Sequence, residues 1–161
     1  MANVSDATVG VYPEAQKSAI KSMIGVGEWV SIGNVTLTEG TNSVTIAADR
    51  KYYEVYAYID IKAATTSTSL TFTAKNEAGN DISTKYLAGQ VHTTEKITLV
   101  RLESMPGMIV MSYNNDNAES QTRQLIFMND LTDYGIKTIV VSAYGGTIML
   151  PVGSVIKVYA R

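Results

Sequence analysis

Tyr52-Tyr53-Glu54-Val55-Tyr56-Ala57-Tyr58-Ile59-Asp60-Ile61-Lys62 alternates with a period of two. Tyr53, Val55, Ala57, Ile59 and Ile61 fall on one side; Tyr52, Glu54, Tyr56, Tyr58, Asp60 and Lys62 fall on the other. That period is the side-chain repeat of a β-strand. The first set is therefore expected to face a core and the second to form a polar, aromatic surface. Leu70, Phe72 and Ala74 against Thr71, Thr73 and Lys75 repeat the rule.

Working outward, the sequence reads as strand after strand, over 29–38, 43–48, 52–63, 70–75, 96–103, 108–114, 123–128, 138–144, 147–150 and 155–160. Between them lie turn-forming groups such as Glu39-Gly40-Thr41-Asn42, Met105-Pro106-Gly107 and Pro151-Val152-Gly153. Short strands at this spacing predict an all-β fold, an antiparallel β-sandwich or a barrel. Met108-Ile109-Val110-Met111, Leu125-Ile126-Phe127-Met128 and Thr138-Ile139-Val140-Val141 are apolar on both faces. The outer face of a sandwich is normally wet, so a second subunit is the simplest cover for them.

One stretch has a different period. Ala15, Ala19, Ile20, Met23 and Ile24 recur every three or four residues after Pro13 and Glu14, which suit a helix N-terminus. Gly25 and Gly27 end the pattern. A helix of that length is marginal alone, so its apolar stripe is expected to pack on the β core or on identical helices.

Composition excludes several functions. Charged residues make up 17% of the 161-residue chain, and the formal net charge is −2. That gives no basic face for nucleic acid. No apolar run is long enough for a membrane helix, and the first residues lack the pattern of a secretory signal. With no Cys and His92 as the one histidine, disulfides, thiol catalysis and His- or Cys-based metal clusters are ruled out. No metal or cofactor is expected.

A catalytic constellation is hard to assemble. His92 lies in a polar Gly-Gln-Val-His-Thr-Thr context that reads as loop. Asp130 and Asp133 offer the paired carboxylates of a glycosidase, but Asp, Asn and Gly belong in turns regardless of function. Asn114-Asn115-Asp116-Asn117-Ala118-Glu119 carries oxygen ligands without the order of a calcium loop. The chain is read as a non-enzyme. Its aromatic content is more telling: ten Tyr, two Phe and one Trp. Tyr52, Tyr56 and Tyr58 share the outward side of one strand, with Asp60 beside them. This is either a saccharide platform or a subunit interface, where Tyr is also enriched. Trp29 is read as a core anchor at the helix-to-sheet junction.

Two ends of the sequence carry a resemblance. The run 14–25 leads through Gly27-Glu28-Trp29 into Val35-Thr36-Leu37-Thr38-Glu39-Gly40, and the sequence closes on Pro151-Val152-Gly153-Ser154-Val155-Ile156-Lys157-Val158-Tyr159-Ala160-Arg161. Both resemble tailed-bacteriophage and prophage fibre proteins, in which a short helix hands over to a β domain with a similar closing hairpin. The likeness covers about a third of the chain, and its motifs are structural.

The resemblance implies a virion protein, a homotrimeric head or tail fibre or capsid-decorating protein, with a jelly-roll-like β-sandwich over 28–161. Residues 1–27 would be the attachment arm and a short trimerising helix. Asn3, Val4, Val9, Val11 and Tyr12 would grip a phage capsid or tail protein. Ala19, Ile20, Met23, Ile24, Met108, Met111, Ile126 and Met128 would lie between subunits. Polar loops at 76–81 and 114–120 would be free to meet a host-surface glycan, with the protein made in the host cytoplasm and carried on the virion. The rival readings are a monomeric carbohydrate-binding module and a small glycan-cleaving enzyme using Asp130 and Asp133.

Overall fold

Among the described residues, alternating apolar residues become ten strands: β1 (Val30–Thr36), β2 (Ser43–Tyr52), β3 (Glu54–Ile61), β4 (Thr68–Lys75), β5 (Asp81–Val91), β6 (Lys96–Met105), β7 (Met108–Asn115), β8 (Gln121–Met128), β9 (Ile136–Ala143) and β10 (Val155–Ala160). The structure is a computed structural model, and it describes residues 28–115, 121–128, 132–145 and 148–161. For 84–90, 115, 121–125 and 127–128 the backbone alone is described. The helix expected over 13–24, its stripe Ala19, Ile20, Met23 and Ile24, the arm residues Asn3 to Tyr12, and Asp130 all lie outside the described residues. So does the side chain of Met128.

The strands form two antiparallel sheets, one in the order β1-β10-β3-β6-β7-β8 and the other β2-β9-β4-β5. The pairing is nested. β1 pairs with β10, β2 with β9, β3 with β6 and β4 with β5, while β7 and β8 form an additional hairpin beyond β6. Ile59, Ile61, Leu102, Ile109, Met111 and Ile156 of the larger sheet join Ile46, Leu70, Phe72, Ile139 and Val141 of the smaller in one buried core. The two inner faces thus supply alternate residues to a shared interior, as in packed sheets generally.

Chain direction gives the sandwich two distinct ends. The polypeptide enters β1 beside the end of β10, where Val30 pairs with Ala160, and beside the start of β3, where Arg161 N donates to Glu54 O. At the opposite end the loops tie to one another. Leu37 N donates to Ser154 O, Thr41 and Leu150 exchange both backbone bonds, and Ala64 N donates to His92 O. The 76–81 turn, expected to be free for a host-surface glycan, lies at the entry end, where the Asn76 side-chain amide donates to Asp133 O at 3.1 Å.

Several sequence readings change. The alternation assigned to 52–62 breaks at Tyr53, because β2 ends at Tyr52 and β3 begins at Glu54 in the other sheet. The switch of sheet resets the phase. Tyr52, expected outside, is 4% exposed, and Tyr53, expected inside, is 49% exposed. The reading of 147–150 as a strand reduces, in the described part, to a single bridge at Leu150. β5 was missed because Asp81 to Val91 mixes Gly, Lys and Gln with few large apolar residues. Met111, expected between subunits, is buried in the core: in β7, Ile109 and Met111 point inward, leaving Met108 and Val110 half-buried outside.

Candidate functional site

The outer face of the larger sheet carries a cleft of about 400 Å³ lined by Trp29, Glu54, Tyr56, Arg101, Tyr159 and Arg161. Strand alternation and register assemble it. Along β3, Val55 and Ala57 go inward, so Glu54 and Tyr56 go outward. Tyr56 lies opposite Tyr159 of β10 on one side and Arg101 of β6 on the other. Ala160 is buried, so Tyr159 and Arg161 both point out. Trp29 precedes β1 by one residue and falls beside Arg161 because Val30 pairs with Ala160. Expected in the core, Trp29 is instead 41% exposed, since the inward place at this edge belongs to the smaller Val30 and Ala160.

One carboxylate organises the polar side of the cleft. Glu54 Oε1 accepts from Arg101 Nε at 3.0 Å and from Nη2 at 2.6 Å. Glu54 Oε2 accepts from Arg161 Nε. Arg101 Nη2 also reaches Glu103 Oε1 at 2.7 Å. The Glu54 side chain is 14% exposed, where charge-assisted bonds from planar guanidinium groups are strong and directional. The Arg161 guanidinium stacks on the Trp29 ring, 5.0 Å from its centroid, and the edge of Tyr56 meets Trp29 at 6.5 Å and 73°. The indole is therefore held by a cation–π contact and an aromatic contact while part of it faces solvent.

The four sequence-selected ligand residues do not act together. Tyr56 lines the cleft. Tyr58 is one outward step further along β3, with Lys157 Nζ 6.0 Å from its ring centroid. Asp60 is buried at the far end of the strand, roughly 13 Å from Tyr56 at the rise of a β-strand, and accepts from Lys62 Nζ at 3.1 Å. Lys62 also bonds Glu95 at 2.6 Å. Glu95 first and Asp60 second raise the Lys62 pKa, and Lys62 in turn holds the Glu95 carboxyl below its usual range. Tyr52 belongs to the other sheet, where its hydroxyl donates to Asp49 at 3.0 Å and lowers that carboxyl's pKa. It cannot share a platform with Tyr56 and Tyr58.

Asp133 and His92 have local structural partners, while 116–120 and Asp130 lie outside the described residues. Asp133 accepts from Lys51 Nζ at 3.2 Å through both oxygens, and Lys51, which also reaches Glu77 at 3.1 Å, has its pKa raised by Glu77 and then Asp133. His92 Nδ1 lies 3.3 Å from the backbone N–H of Thr94. Among the described residues no group of three or more His, Asp or Glu is placed to hold a metal ion, and no helix is long and apolar enough to cross a membrane. Of the sandwich residues expected between subunits, Ile126 stands 61% exposed on β8, in a cross-strand row with Val110 and Glu103.

Sequence reasoning found Tyr56 and missed Trp29, Glu54, Arg101, Tyr159 and Arg161. The available signal was the charge in Glu54, Arg101 and Glu103, each at an outward position of a strand. No protein-family model and no curated protein matches the chain.

Proposed function

We propose that this chain is a non-catalytic virion accessory protein, a homotrimeric phage head or tail fibre or capsid-decorating protein that adheres to host-surface glycans. The observation that carries the reading is the outer face of the larger sheet. A self-sufficient sandwich would present a polar face there. This one has an aromatic–arginine cleft on β3, β6 and β10 and, on the added β7–β8 hairpin, the exposed Ile126. Trimeric display makes a weak site useful, because linked sites gain avidity without new contacts.

The nested pairing of β1 with β10, β2 with β9, β3 with β6 and β4 with β5 supports a jelly roll with one inserted hairpin. Residues 1–27 join the sandwich beside Trp29, so that end is the natural one for an attachment arm and a trimerising helix. The loops around 37–42, 62–67, 92–95 and 150–154 would then point away from the particle.

Light scattering after size exclusion tests the assembly. The full chain is expected at three times its 17.4 kDa mass, and Ile126→Lys is expected to weaken the trimer. A monomer at micromolar concentration refutes the fibre reading. A second reading, the monomeric carbohydrate-binding module, draws support from the indole of Trp29, 41% exposed in the cleft.

A further inference from the structure

We infer that the cleft between Trp29, Arg101 and Arg161 binds one neutral pyranose unit of a glycan, with the sugar's apolar face on the indole and adjacent hydroxyls on the guanidinium and carboxylate groups. The inference rests on the glycan-adhesion reading and specifies its ligand.

Size and composition come first. A volume of about 400 Å³ lies in the range of small-molecule sites, which combine apolar walls with a few fixed polar groups. Trp29, Tyr56 and Tyr159 are the walls. Arg161 and Tyr56 brace the indole, so little ordering cost remains when a ligand stacks on it.

Polar geometry gives the next constraint. Among the described residues, the hydrogen bonds of Arg161's guanidinium engage Nε, and those of Arg101's engage Nε and Nη2. Their remaining N–H groups are aimed by Glu54, which fixes both side chains. A guanidinium fork presents two parallel donors, which match the oxygens of adjacent ring hydroxyls. Glu103, whose side chain is 39% exposed, can accept from such a hydroxyl.

Charge then selects the ligand class. The lining holds two guanidinium groups and one carboxylate, Glu54, and Glu103, bonded to Arg101 just outside that lining, balances the second arginine. A ligand carboxylate would meet Glu54 and Glu103 as well as the arginines. Like charges brought that close repel even at the effective dielectric of a protein surface. A neutral sugar uses donors and acceptors alike and incurs no such repulsion. The open cleft and single-sugar footprint fit a Kd of about 1–10 mM.

Trp29 is the single tryptophan of the sequence, so its indole ¹H–¹⁵N signal and fluorescence report on this cleft alone. The full chain is titrated with the methyl glycosides of glucose, galactose and mannose to about 100 mM, and in parallel with glucuronate and N-acetylneuraminate at matched ionic strength. Saturable movement of the indole signal is expected with at least one neutral glycoside, with both acids about tenfold weaker or silent. Arg101→Ala is expected to weaken that binding by about tenfold or more, roughly the loss of one charged hydrogen bond. Glu103→Gln, a more conservative surface change, should weaken it less.

A silent indole with all three neutral glycosides overturns the inference, as does a response confined to the acids. An indole signal that moves with protein concentration alone would assign the cleft to a second copy of the chain and also overturn it. Mass measured on the same samples separates the two claims. A trimer with a silent indole sinks the sugar site and keeps the fibre reading, whereas a sugar-responsive monomer does the reverse.

Discussion

Substituting Gly33 by Ala tests how closely the two sheets approach along β1. A Cβ on Gly33 would lie 2.6 Å from Ile46 Cγ2 and 2.8 Å from Ile46 Cδ1. Carbon atoms in ordinary contact are about 3.5–4.0 Å apart, so the overlap is about 1 Å and a side chain or strand must shift. Ile46 is a core residue of β2. Overpacking of this kind costs about 1–3 kcal/mol, or roughly 2–4 °C in Tm per kcal/mol for a domain of this length.

Gly33 is not among the glycines with positive φ, so its backbone accepts Ala once the space exists. In an Ile46→Ala background, itself less stable by about 2–5 kcal/mol, the same Gly33→Ala change should be neutral or stabilising by about 0.4–1 kcal/mol, through a less flexible unfolded chain. The sign reversal corresponds to a coupling of about 1.5–4 kcal/mol in a double-mutant cycle. Urea denaturation of the four proteins at one protein concentration measures it, since assembly shifts apparent stability. Equal effects of Gly33→Ala in both backgrounds would refute the close-approach argument.

Three further outcomes are expected. Phe72, fully buried from β4, should lose about 3–5 kcal/mol of stability on replacement by Ala, read from the urea midpoint. Ser104 donates to Tyr134 O at 2.5 Å from a buried position, and Ser104→Ala should cost about 1–2 kcal/mol by orphaning that carbonyl. Faster hydrogen exchange around 132–135 would localise the loss. The Glu95 carboxyl is depressed by Lys62, so its contribution is present above its ordinary value of 4.5 and fades as pH falls through the lower folded value. Asp60 shares the same ammonium. In Lys62→Met the Glu95 carboxyl carbon should titrate at its ordinary value, and an unchanged titration would show that Lys62 does not set it.

The period of two within β3 was legible because both neighbours of each residue in the strand lie in one sheet. At Tyr52 and Tyr53 the same rule failed: alternation is a local property, whereas the passage from one sheet to the other is set by tertiary packing. β5 was invisible for a related reason, since its place in the sheet comes from pairing with β4 rather than from its own composition. The double apolarity of β7 was read as a sign of a second subunit, yet half of it is the sandwich's own core, as Ile109 and Met111 demonstrate. The cleft was legible only through Tyr56. Arg101 and Tyr159 are far from Tyr56 in sequence, and only the order β10-β3-β6 places them on either side of it.

The nested pairing also sets a timetable for synthesis. β10 lies between β1 and β3, so among the described strands the one made latest joins the one made earliest to the rest of its sheet. Until Ala160 has been made, β1 has no neighbour on which to hydrogen-bond, and β3 has a bare edge. Long-range pairing of this kind folds slowly, because loop closure is unfavourable until distant contacts form. Nascent chains stalled before β10 should therefore expose unpaired strand edges, the surfaces through which partly folded β proteins aggregate. In such a chain the risk of misassembly is concentrated in the interval before β10 arrives.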